Sequence, residues 1–206
     1  AQQSYNFIED YEISFMIVFI VLVTLLILYI VYENHTRNKE LLKYAQTDAL
    51  TGLYNKETTE QLTDELLSED ENKSHAFLIL DVDCFKQIND IYGHAVGDIV
   101  LQKFGKLLKG TFREGDILGR IGGDEFGVIM KNIQTKDIAM KKAGELLAKT
   151  QAYRIDELKG NNISISIGIS TAPQDGDCYM DLYKRADQAL YQAKRSGKAR
   201  VCNYFS

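Results

Sequence analysis

Two acidic pairs stand out in a chain of 206 residues. Asp81 and Asp83 close a continuous apolar run, A-F-L-I-L-D-V-D over residues 76 to 83, and Asp124-Glu125 follows Gly122-Gly123. Carboxylates at strand ends are hard oxygen donors suited to divalent cations. Two acidic sites on adjacent strands form the arrangement that two-metal phosphoryl chemistry needs. One pair alone would mean little, because Asp is common at strand ends and turns. The glycines add the specificity: without side chains at 122 and 123, backbone can approach a bulky ligand closely. His35, His75 and His94 are the only histidines, so no triad or His-rich metal site competes, and His94 reads as a loop brace. Cys84, Cys178 and Cys202 lack zinc-ligand spacing and read as reduced thiols.

The elements that must position these acids follow from periodicity. The run at 76 to 83 predicts a buried central strand. Residues 117 to 130 predict a hairpin, I-L-G-R-I and F-G-V-I-M, turning through Gly-Gly. Helical spacing covers 55 to 67, with Asn55 as N-cap, then 98 to 109, 135 to 151 and 181 to 195. Residues 68 to 74 read as a charged loop. Strands are expected at 163 to 170, where S-I-S-I alternates, and at 201 to 205. Mixed helices and strands with a hairpin predict one α+β domain over residues 48 to 206.

Composition places this domain behind a membrane. The chain is 45% apolar and 26% charged, which excludes low-complexity disorder. A net charge of −5 argues against a nucleic-acid partner, and the 12 tyrosines show no basic interleaving. Residues 13 to 32 carry no charge, and at about 1.5 Å per residue they match a hydrocarbon core of roughly 30 Å. Tyr29 and Tyr32 fit the aromatic belt at its end. A signal peptide would need a basic lead, but the preceding charges are Glu9, Asp10 and Glu12. All 24 Lys and Arg follow position 36, beginning with Arg37, Lys39 and Lys43, which predicts an outside N-terminus and a cytoplasmic domain. The chain opens on Ala1, and residues 1 to 12 are expected to be the remainder of a longer extracytoplasmic region. Residues 33 to 47 read as a polar connecting helix. Val31, Asn34, Asn38, Leu41 and Ala45 also fit a coiled-coil seam that two Asn would weaken.

The string Arg120-Ile-Gly-Gly-Asp-Glu-Phe126 resembles the signature of the GGDEF diguanylate cyclase family. The resemblance extends over D-A-L-T-G-L-Y-N at 48 to 55, D-V-D-C-F-K-Q-I-N-D at 81 to 90 and G-H-A-V-G-D at 93 to 98. It continues through S-I-G-I-S at 166 to 170 and A-D-Q-A-L-Y-Q-A-K-R-S-G-K at 186 to 198. It implies a palm-type, nucleotidyl-cyclase-like fold with a central, mainly antiparallel sheet flanked by helices. The implied reaction condenses two GTP into cyclic di-GMP and two pyrophosphates at a homodimer interface, at the bacterial inner membrane. Asp81, the Val82 carbonyl and Asp124 are implied Mg²⁺ ligands, with Mn²⁺ able to substitute. Asp124, Glu125 and Lys86 are the implied catalytic groups. Asn89 and Asp98 would read guanine, Phe85 and Lys86 would lie in a loop cradling the terminal phosphates, and bare Gly123 would face substrate. Lys194 and Lys198 match phosphate-contacting positions, although Lys at 198 forgoes the bidentate geometry of Arg. Arg113 and Asp116 match an R-x-x-D product-inhibition site five residues before Gly122. Cys84 stands where Phe is frequent and Ala199 where Asn is frequent.

Two other functions remain open on the residues. A silent domain sensing GTP or cyclic di-GMP usually has a broken acidic turn, and residues 122 to 126 are unbroken. A cyclase with another base preference is disfavoured by Asp98, whose carboxylate suits the guanine N1–H and amine.

Overall fold

The computed structural model describes residues 16, 19–37, 45–69 and 73–204. The chain divides into two compact units, residues 1–45 and 46–206. Within the first unit, helix α1 runs Phe19–Arg37, long and apolar enough to cross a membrane, with a mean hydropathy of 1.7. Its apolar side chains, Phe19 through Tyr32, are all exposed. Thr24 and Thr36 return their hydroxyls to the carbonyls of Val21 and Tyr32, which hides the polar groups a span could not tolerate. Most of the start of the expected span lies outside the described residues, as do the seam positions Asn38 and Leu41 and the segment 1 to 12.

The second unit is built on a five-stranded sheet in the order β2-β3-β1-β4-β5. Its strands are β1 (His75–Val82), β2 (Ile117–Arg120), β3 (Glu125–Met130), β4 (Ile165–Ala172) and β5 (Val201–Asn203). All neighbours are antiparallel except β4 and β5. The helices are α2 (Lys56–Glu69), α3 (Phe85–Tyr92), α4 (His94–Lys109), α5 (Lys136–Ala152) and α6 (Tyr179–Arg195), with a 3₁₀ turn at Asp156–Leu158.

Strand alternation sorts the core. Ala76, Leu78, Leu80 and Val82 join Phe104, Leu108, Ala139 and Leu146 in the cluster under α4 and α5. Phe77 and Ile79 join Leu182, Ala186, Leu190 and Leu66 in the cluster under α6 and α2. Asp81 is the next residue in the second row, so period two delivers its carboxylate to the α6 side. Gly168 on β4 makes this layer tight, because a Cβ there would overlap the Ala186 carbonyl oxygen. Phe126 is fully buried and meets Phe104 edge to face at 4.9 Å, anchoring the acidic turn to the core.

The expected strands and helices are present with shifted limits. Asn55 does cap α2, accepting the Thr58 N–H at 2.9 Å, but the helix continues through Glu69 into the stretch read as loop. Helix α4 begins at His94, four residues earlier than its apolar spacing suggests, because Gly93 at φ 86° supplies the break before it. Phe85 and Lys86 are in the first turn of α3, an element the sequence reading held as a loop.

Candidate active site

The chemistry-bearing residues gather at the end of β1. Asp81, 6% exposed, is paired across the ladder with Glu125 on one side and Ser166 on the other. Lys194, in the last turn of α6, donates to Asp81 Oδ2 at 2.6 Å. Burial pushes the Asp81 carboxyl up to about 6; the Lys194 ammonium opposes that rise, and the Asp124 and Glu125 carboxylates add to it. Three acids therefore share one field, in which Lys194 is the cation hydrogen-bonded to Asp81. Among the described residues, no donor reaches the carboxylates of Asp124 or Glu125. Asp81 and Asp124 are hard oxygen donors of the kind a divalent cation takes, although among the described residues the three carboxylates do not converge within 4.8 Å of one another, as the side chains of Asp177, Cys178 and Asp181 do.

The turn carrying Asp124 is held by backbone and by one arginine. The Val82 N–H donates to the Asp124 carbonyl at 3.2 Å, and the N–H groups of Ile121 and Gly122 both donate to the Glu125 carbonyl. Arg120 Nε and Nη2 donate to the Gly123 carbonyl at 3.2 and 2.7 Å. The same guanidinium grips both Asp48 oxygens through Nη1, at 3.3 and 3.1 Å. Burial of Asp48 opposes ionisation, but the Thr51 hydrogen bonds and Arg120 outweigh it and hold the carboxyl below its ordinary value. Sequence reasoning quoted Arg120 and Asp48 only as letters of motifs. A charged residue placed two before a bare glycine turn was the available signal. A Cβ at Gly123 would meet nothing within 4 Å, so that backbone is open to a ligand.

Asp83 has a different fate from Asp81. It is 5% exposed and accepts from Ser164 Oγ and Ser166 Oγ at 2.8 Å each, and from the Ala199 N–H at 3.1 Å. It ties β1 to β4 and to the turn after α6. In that turn Lys198 and Ala199 both take left-handed backbone, φ 61° and 49°. Lys198 is exposed and donates to Cys84 Sγ at 3.2 Å. Cys84 is itself left-handed, φ 58°, which turns the chain from β1 into α3. Lys86 is exposed on α3 and Phe85 is half-buried.

Asn89 and Asp98 lie on the two helices α3 and α4, which pack on each other. The half-buried Asn89 lies against Gly97, and Asp98 follows on α4 with its side chain exposed. Arg113 and Asp116 also meet, but they are tied into the fold. Asp116 is 9% exposed and accepts from the N–H groups of Arg113 and Lys131 at 3.1 Å each. The Arg113 guanidinium lies 3.5 Å from Asp116 Oδ1, donates to the Lys131 carbonyl at 2.8 Å, and keeps 65% of its side-chain surface open. Tyr183 tilts on Tyr179 with ring centroids 5.8 Å apart. Burial raises its phenol, with the Glu125 carboxylate contributing next.

Comparison with known proteins identifies the family. The family model "Diguanylate cyclase, GGDEF domain" matches residues 45–200. Diguanylate cyclase A of Treponema denticola is 36% identical over 170 residues, covering 80% of this chain and 46% of its own length. The chain thus spans about half the length of the curated relatives it matches, or less. The GGDEF domain of TpbB (YfiN) from Pseudomonas aeruginosa superposes with a TM-score of 0.73 at 33% identity, covering 77% of this chain and 94% of that one. The coiled coil and GGDEF domain of DgcB from Caulobacter crescentus, solved with cyclic di-GMP, shares the fold with a TM-score of 0.77 at 24% identity, covering 84% and 93%. The chain belongs to the diguanylate cyclase GGDEF-domain family.

Proposed function

We propose that the chain is a membrane-anchored diguanylate cyclase that condenses two GTP into cyclic di-GMP. The observation that carries this reading is the unbroken Gly122–Glu125 turn held against buried Asp81, with Lys194 at its side. In the reaction each 3′-oxygen bonds to the α-phosphorus of the other nucleotide and loses its proton. Each α–β phosphoanhydride bond breaks, so two pyrophosphates leave. A Mg²⁺ bound through Asp81, Asp124 and the Val82 carbonyl would acidify the attacking hydroxyl and neutralise the departing phosphates.

The chain's own groups do the positioning. Asp124 holds or accepts the proton of the 3′-hydroxyl, and Glu125 keeps the field acidic beside Asp81. Lys86 and Lys194 meet phosphate charge, Lys198 adds a point charge at the rim, and Phe85 backs the phosphate site at the start of α3. Asn89 and Asp98 read guanine, and bare Gly123 lets backbone approach the nucleotide. One domain holds one GTP, so two copies face each other in a homodimer. Helix α1 anchors the chain as a single pass, with the domain on the basic, cytoplasmic side. Arg113, the open member of its pair, receives cyclic di-GMP as product inhibitor, with Asp116 fixing the loop beneath it.

The test is product analysis of the full chain in detergent with GTP and Mg²⁺ at several protein concentrations, beside Asp124→Ala. Cyclic di-GMP formed at a rate per protein that rises with concentration, and lost in the variant, supports the reading. Absence of product even when dimerisation is forced by a fused coiled coil refutes it.

A further inference from the structure

We propose that Gly97 is a positioning residue for base recognition: by withholding a Cβ, it lets the Asn89 carboxamide lie flat against α4 beside Asp98. The proposal rests on the reading of Asn89 and Asp98 as the base-contacting pair. Nothing in the backbone calls for glycine here, since Gly97 is inside α4, away from the left-handed region, where Ala would be the better helix former. What calls for it is space. A Cβ at 97 would overlap Asn89 Oδ1, lie 3.0 Å from Asn89 Cγ and stand 3.2 Å from Phe85 Cζ. Two residues of α3, one turn apart, therefore rest on this bare Cα.

The amide oxygen pressed onto Gly97 is buried and has no hydrogen-bond partner among the described residues. A sealed, unpaired acceptor disfavours the fold that contains it, so this orientation is not explained by stability. With Oδ1 turned inward, the half-exposed Asn89 has only its NH₂ to offer a ligand. Asp98, the next residue on α4 after Gly97, offers only acceptors when ionised. Asn89 then offers a ligand donors and Asp98 acceptors. That combination complements a purine edge carrying an acceptor nitrogen beside an N–H and an exocyclic amine. Adenine has neither N1–H nor that amine and mismatches Asp98. A methyl group at 97 would push the carboxamide outward and break the pairing without touching the acidic turn.

The experiment is a double-mutant cycle in the full chain: Gly97→Ala, Asn89→Ala and both together, each assayed for KM, kcat and thermal midpoint. Gly97→Ala should raise the KM for GTP about 10-fold with kcat within about 3-fold, the size expected for one lost hydrogen bond. It should also lower the preference for GTP over ATP. The double variant should be no worse than Asn89→Ala, because no amide remains to be displaced. The midpoint change on Gly97→Ala should be less favourable in the parent than in the Asn89→Ala background, where the methyl fits and the helix gains. That arm reads the contact whether or not GTP turns over. Additive KM effects in the double variant, or equal midpoint changes in both backgrounds, would overturn the role of Gly97 alone. An Asn89→Ala variant with unchanged KM would instead overturn the base-reading role, and the proposal with it.

Discussion

The edge formed by Asp81, Asp124 and Glu125 and the corner formed by Arg113 and Asp116 look alike as sequence, with acids beside glycines at strand ends. As structure they are opposites. Asp116 is saturated by two backbone N–H groups and faces its own arginine. Asp83, two residues from Asp81, is equally saturated by two serines and an amide. Asp81 has one lysine, and Asp124 and Glu125 have no side-chain donor among the described residues. A buried carboxylate that the protein itself satisfies is holding the fold, whereas one left short is held for something that arrives.

The sharpest break of that comparison is Asp124→Ala. Turnover of GTP should fall about 10³-fold or more while the thermal midpoint barely moves, since among the described residues no hydrogen bond or ion pair depends on the carboxylate. Arg120→Ala should come next, lowering kcat about 10- to 100-fold through a misplaced turn, with GTP binding less affected; equal losses in kcat and affinity would argue against a positioning role. At the other corner the order reverses. Asp116→Ala should cost about 1–3 kcal/mol in denaturant unfolding by orphaning two N–H groups. Arg113→Ala should cost less than about 0.5 kcal/mol and act on product inhibition instead.

A pH series in chelator sharpens the contrast between two acids. The folded pKa of Asp81 is raised to about 6, above an ordinary value near 4, so the folded state binds its proton more tightly. Its contribution is full below pH 4 and lost as pH rises through 6, about 1–2 kcal/mol after allowance for screening. Asp48, held below its ordinary value, contributes above that value and loses its contribution as acid titrates it. Asp81→Asn should abolish the loss between pH 4 and 6 and leave the acid limb. A comparably small effect is expected at Ala199, whose left-handed backbone disfavours Ala; Ala199→Asn should add about 0.5 kcal/mol. A thermal midpoint unchanged by that replacement would count against strain in the turn after α6.

The sheet and its acids were legible because both rest on short-range rules. The apolar run before Asp81 and the Gly-Gly hairpin announce strands, and period two sends Asp81 to the α6 face. What stayed hidden depends on residues far apart in the chain. No local pattern separates Asp81 from Asp83, because the serines at 164 and 166 and the amide at 199 lie at least 80 residues away. Helix α3 was missed because it is only eight residues long and starts behind a left-handed Cys84, which no propensity suggests. The burial of Asp116 depends on Lys131, and the purpose of Gly97 on Asn89, both invisible until α3, α4 and the strands are in place.

The Asp48–Arg120–Gly123 chain has a mechanical reading. The peptide that opens the domain is pinned at once: the Asn55 N–H donates to the Gln46 carbonyl, the Tyr54 N–H to Leu118, and the Arg120 N–H to Tyr54. It behaves as an added rung on the free edge of β2. Load applied to the chain at residue 46 therefore meets no slack; within two residues it reaches a carboxylate, and through one rigid planar cation it reaches the carbonyl immediately before Asp124. The domain carries its own linkage rod from its entry point to its acidic turn, and a truncation starting beyond Asp48 is expected to leave the sheet intact while disconnecting that rod.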